Sequence, residues 1–423
     1  MHRFHVRRGR LWCEEVPVAR VAEELGTPLY LYSYRTILDH FRKLRGAFAP
    51  IHALVCFAVK ANSNMAICRA LARAGAGFDV VSGGELRKVL QAGADPKRIV
   101  YASVGKTAEE IERAVKAEIL FFNVESAQEL EQIQAVCRRL RRRQRVSLRL
   151  NPEVDPHTHS FITTGHRASK FGMDLATVKA LLRRSGQFQN LLFVGLHIHI
   201  GSQILKAQPF QKAIRRALDL IGWAKGQGIQ IRYLNIGGGL GIVYHREIPQ
   251  TAAEYAGRIL PLLKGTGLTV ILEPGRFIVG NSGILVTRVL YLKESHGRRF
   301  AIVDAGMNDL IRPSLYGAYH EIQPVAQNGA ARGGGRGARY DVVGPVCESG
   351  DFFAKNRRLP PLKAGDLLAI MGAGAYGFTM ASNYNSRPRA AEALVNGGRW
   401  HVIRERERYQ DLVRNERIPA FLK

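Results

Sequence analysis

The chain has 423 residues, 46% hydrophobic, 23% charged and 8% aromatic, a globular balance with room for one large or two medium domains. No apolar run reaches the ~18–20 residues a membrane span needs, and no apolar stretch with a small-residue cleavage site follows the basic start MHRFHVRRGR, so neither a membrane partner nor a signal peptide is expected. The net charge of +27 attracts polyanions and anionic substrates, yet its densest runs, RRLRRRQR (138–145) and ARGGGRGAR (331–339), read as the solvated end of a helix and a Gly/Arg loop with no aromatics to stack bases, so no specific nucleic-acid partner is expected.

In chain order, the first 32 residues hold a strand-like piece (HRFHV), a short helix (VPVARVAEEL) and a second strand-like piece (PLYLYS). Between about residues 50 and 280 one rhythm recurs: a short apolar, β-rich run ends in polar or glycine residues and an amphipathic helical stretch follows. The runs are ALVCFAV ending at Lys60, GFDVV ending at Ser82, RIVYASV, EILFFNV, VSLRLN, LFVGLHIHI, RYLNIG and TVILE. Near-continuous apolar strands alternating with helices predict parallel strands buried on both faces. A doubly wound open sheet shows the same alternation; the count of eight predicts a (β/α)8 TIM-like barrel of about 250 residues. After residue 280, SGILVTRVLYLKES, RRFAIVDAG, RYDVVGPVCES and GDLLAIMGAG read as strands joined by turns. The predicted division is a barrel over 33–280 and a β-rich, sandwich- or barrel-like domain from 281–423, completed by 1–32. The five cysteines, Cys13, Cys56, Cys68, Cys137 and Cys347, are scattered with no CxxC pair. That pattern argues against a disulfide framework or zinc knuckle and fits a reducing cytoplasm.

Active sites of such barrels lie at the C-terminal strand ends. Polar residues expected there are Lys60, Asp79, Ser82, Asn151, His197, His199, the glycines Gly237, Gly238 and Gly239, Glu273 and Arg276. A lysine closing an apolar strand is partly desolvated, which favours the neutral, nucleophilic amine; the alternative is a lysine reaching past the strand end to water. His197 and His199 share a face if both lie on a strand. They suit a metal pair, a ring stacked on a cofactor or a satisfied core, but few further metal ligands stand at the other strand ends, so no metal site is expected. GGGLG (237–241) after the seventh run suits a phosphate cradle or a tight packing turn. Glu273 could hold a proton on a ring nitrogen and Arg276 a carboxylate, or the two could pair at the barrel rim. One lysine, one glycine loop, one flat histidine and one carboxylate together suit pyridoxal phosphate.

At this point the chain resembles the diaminopimelate decarboxylases, within the alanine-racemase-like group of pyridoxal phosphate enzymes. The resemblance rests on TPLYLYS (27–33), FAVKANSN (57–64), GFDVVSGGEL (77–86), NPEVDPHTHSFITTG (151–165), SKFGM (169–173), HIHIGSQI (197–204), NIGGGLGI (235–242), EPGRFIVG (273–280), DAGMNDLIRPSLYGAYH (304–320), GPVCESGDF (344–352) and GAYGFTMASNYNSRP (374–388). It implies decarboxylation of meso-diaminopimelate to L-lysine, the last step of lysine biosynthesis, with pyridoxal 5'-phosphate bound by the barrel. By the same resemblance Lys60 is the Schiff-base lysine, His199 stacks on the cofactor and Glu273 meets its ring nitrogen. Asp79, Ser202, Gly237, Gly238, Gly239, Gly275, Arg276 and Tyr376 complete the cofactor site. Arg276, Arg312, Tyr316, Glu348 and Tyr376 meet the substrate. The resemblance also implies a homodimer in which Cys347 and Glu348 reach the partner's site. A thiol, with a reference pKa of ~8.5, is a suitable acid to reprotonate the carbon that loses its carboxylate. His157 and His159 fit a peripheral loop of this family. The rival readings are a decarboxylase of a basic amino acid, whose distal amine would call for an acidic residue, a cofactor-holding protein without chemistry, and a basic RNA-associated protein.

Overall fold

The computed structural model describes residues 2–155, 169–326 and 337–423. Two compact units form within it: residues 38–278, and residues 1–37 together with 279–423.

In the first unit the eight apolar runs become strands β1 (Ala53–Ala58), β2 (Gly77–Val80), β3 (Ile99–Tyr101), β4 (Phe121–Val124), β5 (Gln144–Arg149), β6 (Leu191–His197), β7 (Tyr233–Asn235) and β8 (Thr269–Leu272). Each pairs in parallel with the next, and β8 with β1, so the ring is closed. β2, β3 and β4 are buried at every residue, as expected of strands covered on both faces. Helices begin where a polar side chain caps the first turn: Asn64, Ser82, Thr107, Ser126, Asp174 and Thr251 each accept a backbone N–H. Such caps satisfy donors that have no intrahelical partner. The arginine run 138–145 begins in the last turn of helix Ala127–Arg139, where cations complement the helix dipole, and ends inside β5.

Register brings the C-terminal ends of the strands into a common layer. Ala58 lies opposite Asp79, Asn123 opposite Ser147, and His197 opposite both Arg149 and Asn235.

The second unit is built on a nine-stranded sheet. Strand Leu29–Ser33, buried at all five residues, runs antiparallel to Gly283–Ser295 and parallel to Ala391–Asn396. The segment PLYLYS thus completes the C-terminal sheet. HRFHV does not: Phe4–Arg7 pairs with Arg10–Cys13 in a separate three-stranded sheet. Arg8 and Gly9 both have positive φ, 50° and 73°, the two-residue turn that folds a chain back on itself. Strands Phe352–Leu359 and Arg399–Arg404 were not evident in the sequence. They form the two ends of the sheet order, where charged side chains such as those of FFAKNRRL are tolerated and break the apolar pattern. Among the described residues no helix is long and apolar enough to cross a membrane.

Candidate active site

Lys60 stands in a single helical turn, Val59–Ala61, directly after β1. Its Nζ donates to Asp79 Oδ2 at 2.9 Å, the lysine side chain 39% exposed and the aspartate fully buried. Burial, reinforced by Glu273 and opposed by Lys60, pushes Asp79 up to about 7. Glu273, immediately after β8, is buried as well. Its Oε1 accepts from Asn235 Nδ2 at 2.5 Å and from Asn123 Nδ2 at 3.3 Å, and His197 Nε2 lies 3.4 Å from Oε2. Burial works to raise Glu273, but His197, the Lys60 ammonium and the Asn235 amide outweigh it and hold the carboxyl well below its ordinary value. A buried carboxylate is tolerable only with such donors.

β6 ends at His197, so His199 lies past the strand and the two-residue period no longer places it. Burial, with Arg149 and Lys60 adding, pushes His199 well below the usual imidazole value. Its Nδ1 accepts the Gly238 N–H at 3.2 Å, which assigns the proton of the neutral ring to Nε2. The three glycines are sterically required. A Cβ on Gly237 would lie 2.6 Å from His199 Nδ1, one on Gly238 2.1 Å from the Glu273 carbonyl oxygen, and one on Gly239 2.4 Å from the Gly201 carbonyl oxygen. Gly275 is similarly confined, its Cβ position 2.9 Å from that of Ala61. Arg276 does not pair with Glu273. Its Nη2 donates to Ser202 Oγ at 3.1 Å and its Nη1 to Tyr244 Oη at 2.7 Å. Ser82 and Asn151 serve locally, Ser82 as a helix cap and Asn151 bonding to Phe171 and Glu153. Two further buried pairs lie at the barrel's strand ends: Arg149–Glu125 at 2.5 Å, and Lys106–Glu129 at 2.5 Å with Lys106 also donating to the Asn123 carbonyl.

The remaining candidates belong to the second unit. Cys347 and Glu348 sit exposed on the loop between Ala338–Val343 and Phe352–Leu359. Asp351 closes that loop by accepting from the Val346 N–H at 2.7 Å and the Met307 N–H at 2.6 Å. The Cys347 N–H donates to Asn385 Oδ1 at 3.0 Å, and Tyr384 Oη donates to Glu348 Oε2 at 2.9 Å. The other four cysteines are buried, and none of the five is in a disulfide. Arg312 and Tyr316 open and close one short helix, Arg312–Tyr316, which Gly317 ends in the left-handed conformation. Ser314 of that helix donates to the Gly350 carbonyl at 2.5 Å, pinning the cysteine loop to it. Tyr376 holds φ at 56°, a costly conformation for a bulky residue that is concentrated at functional sites. His157, His159 and residues 331–336 lie outside the described residues.

Residues 34–280 match the family model for the pyridoxal-dependent decarboxylase, pyridoxal binding domain. The diaminopimelate decarboxylase of Pseudomonas aeruginosa is 48% identical over 418 residues, covering 99% of both chains. The chain belongs to the diaminopimelate decarboxylase family. Crystal structures of diaminopimelate decarboxylases agree. That from Helicobacter pylori complexed with L-lysine has a TM-score of 0.90 at 42% identity, covering 94% of this chain and 98% of the other. That from M. jannaschii in co-complex with L-lysine has 0.93 at 36% identity, covering 99% of both. The residues of this family member also suit a pyridoxal cofactor. Asp79 Oδ1 and His197 Nδ1 are buried without hydrogen-bond partners among the described residues, and the glycine turn leaves its backbone bare where any Cβ would collide. The sequence pattern does not single out Asn123, Asn235, Tyr244 or the pairing of His197 with Glu273. A polar residue near the C-terminal end of an apolar run, as in FFNV and YLN, was the available signal for the two asparagines.

Proposed function

We propose that the protein decarboxylates meso-diaminopimelate to L-lysine and carbon dioxide with pyridoxal phosphate. The observation that carries this reading is the half-buried Lys60 paired with buried Asp79, close to a buried, ionised Glu273 beside the glycine turn. Lys60 would hold the cofactor covalently through its aldehyde carbon. The glycine turn Gly237, Gly238 and Gly239, with Ser202, would hold the phosphate, where Arg276 places its positive charge beside the Ser202 hydroxyl. Glu273 would face the ring nitrogen and, being ionised, keep a proton there. His199, neutral and held through Nδ1, would present its flat face. When bound, the cofactor supplies an electron sink for the pair left on the α-carbon as carbon dioxide departs. Asp79, Gly275 and Tyr376 would also meet the cofactor. Arg276, Arg312 and Tyr316 are assigned to the far end of the substrate, where a guanidinium matches a carboxylate, with Glu348 for its amine. The Cys347 thiol would supply the proton that replaces the lost carboxyl group. This reading makes the enzyme a cytoplasmic homodimer in which Cys347 and Glu348 enter the partner's site.

The test is an assay of the pyridoxal phosphate-loaded protein with meso-diaminopimelate, following carbon dioxide and lysine together. Equal release of both is expected, and Lys60→Ala should abolish it. Faster turnover of ornithine, lysine or arginine would replace the substrate assignment. Absence of any product despite cofactor absorbance would overturn the catalytic reading.

A further inference from the structure

Within the motif RPSLYGAYH the substrate assignments use Arg312 and Tyr316 and leave His320 without a role. His320 is fully buried. Its Nε2 lies 2.9 Å from Arg312 Nη1 and its Nδ1 lies 2.8 Å from the Met371 carbonyl oxygen. A guanidinium only donates and a carbonyl only accepts. The two contacts therefore admit one arrangement: a neutral ring, protonated at Nδ1, whose Nε2 lone pair accepts from Arg312. The chain geometry serves this contact. Gly317, at φ 58°, ends the helix that begins at Arg312 and turns the chain back so that a residue eight positions on meets the guanidinium. The Met371 N–H donates to the Glu321 carbonyl at 2.8 Å, and Arg357 Nη1 donates to the His320 carbonyl at 2.9 Å. The imidazole is thus fixed from both sides.

A neutral acceptor has a consequence a carboxylate would not. It orients the guanidinium without itself bringing a negative charge to it. We propose that His320 is a positioning residue and specificity determinant: as a neutral acceptor it aims Arg312 at the carboxylate on the far end of the substrate. This rests on the assignment of Arg312 to that carboxylate.

Two near-isosteres separate the two ring contacts. In His320→Asn the amide N–H takes the place of Nδ1–H and the Met371 contact survives, but the acceptor for Arg312 is lost. In His320→Gln the side-chain oxygen reaches the place of Nε2 and the Arg312 contact survives. With the cofactor-loaded enzyme, His320→Asn should raise KM for meso-diaminopimelate roughly 10- to 100-fold, the range for a lost hydrogen bond to a charged group, with kcat within about threefold. His320→Gln should stay within about threefold of wild type in both, since it retains that bond. Arg312→Met with and without His320→Asn should give the same KM, because a residue acting through Arg312 adds nothing once Arg312 is gone. Unchanged KM in His320→Asn, or additive effects in the double variant, overturns the proposal while wild-type turnover leaves the function standing. A wild type that does not turn over diaminopimelate removes both. If His320→Asn does not fold, ¹⁵N-histidine NMR of the wild-type holoenzyme decides: a neutral His320 protonated at Nδ1 is expected, and protonation at Nε2 overturns the inference.

Discussion

Replacing Gly238 with alanine places a methyl group 2.1 Å from the carbonyl oxygen of Glu273 and 3.0 Å from its carbonyl carbon. Neither neighbour is a side chain that can swing aside. The Glu273 N–H is bonded to the Gly237 carbonyl at 2.8 Å, and the next carbonyl, of Pro274, accepts from the Ala58 N–H at 3.1 Å. Relief therefore requires the β7–β8 connection to open by about 1 Å, well outside the tolerance of packed interiors. Overpacking of this kind costs roughly 1–3 kcal/mol, or about 3–10 °C in the melting temperature of a unit this size. The same shift moves the Glu273 carboxylate off Asn123 and Asn235, and a 1 Å misplacement at a reacting centre costs about 100-fold in rate. The assay compares Gly238→Ala with Gly257→Ala, an exposed mid-helix glycine whose Cβ meets nothing within 4 Å. The control should be neutral or gain roughly 0.5–1 kcal/mol, since alanine favours helix. Cofactor affinity by absorbance titration, melting temperature and turnover should all fall in Gly238→Ala alone. Equal behaviour of the two variants would refute the claim that the glycine turn is sterically fixed against Glu273.

In the native protein a thiol reagent should find one fast cysteine, Cys347, because the other four are buried; two or more fast thiols, or persistence of the fast phase in Cys347→Ser, would contradict this. Lys106→Met should cost about 3–5 kcal/mol by stranding the buried Glu129 carboxylate, and Lys106→Met with Glu129→Leu should recover most of it; urea unfolding of the three variants reads the difference. Burial favours raising Glu407, but the hydrogen bonds from Arg389 and Asn383 lower it to about 2. Its folded value is depressed below the unfolded value of ~4.3, so its stabilisation is complete above that value and is lost as pH falls toward about 2. Glu407→Gln should therefore be less stable than wild type at pH 7, with the gap narrowing below about pH 4; a gap independent of pH would be inconsistent with an ionised Glu407.

The barrel was legible because burial on both faces writes itself into each strand as an uninterrupted apolar run, and eight runs such as GFDV and FFNV survive in the structure as eight strands. The second unit was half legible. Gly283–Ser295 and Leu367–Ile370 carry the apolar pattern, whereas Phe352–Leu359 and Arg399–Arg404 lie at sheet ends and carry arginines that hide them. In the site, Lys60, Glu273 and the glycines announced themselves by their place at strand ends. The donors that keep Glu273 ionised did not, since Asn123, Asn235 and His197 are far apart in the chain and meet only when the ring of strands closes. His320 was hidden for a similar reason: its meaning lies in the hydrogen-bond roles of its two nitrogens, which depend on Arg312 and Met371 converging on one ring.

The placement of Leu29–Ser33 between Gly283–Ser295 and Ala391–Asn396 governs the order in which the newborn chain can fold. Residues 38–278 form a contiguous unit and can close as soon as they leave the ribosome. The strand LYLYS, buried at every residue in the finished protein, emerges before any of them yet waits for neighbours made some 250 and 360 residues later. At about 5–20 residues per second that wait is on the order of 20–70 s to the last partner, during which an apolar, β-prone segment has no sheet to join. Until residues 391–396 follow, that segment is open to non-native pairing, a hazard of the newborn chain that the finished fold no longer carries.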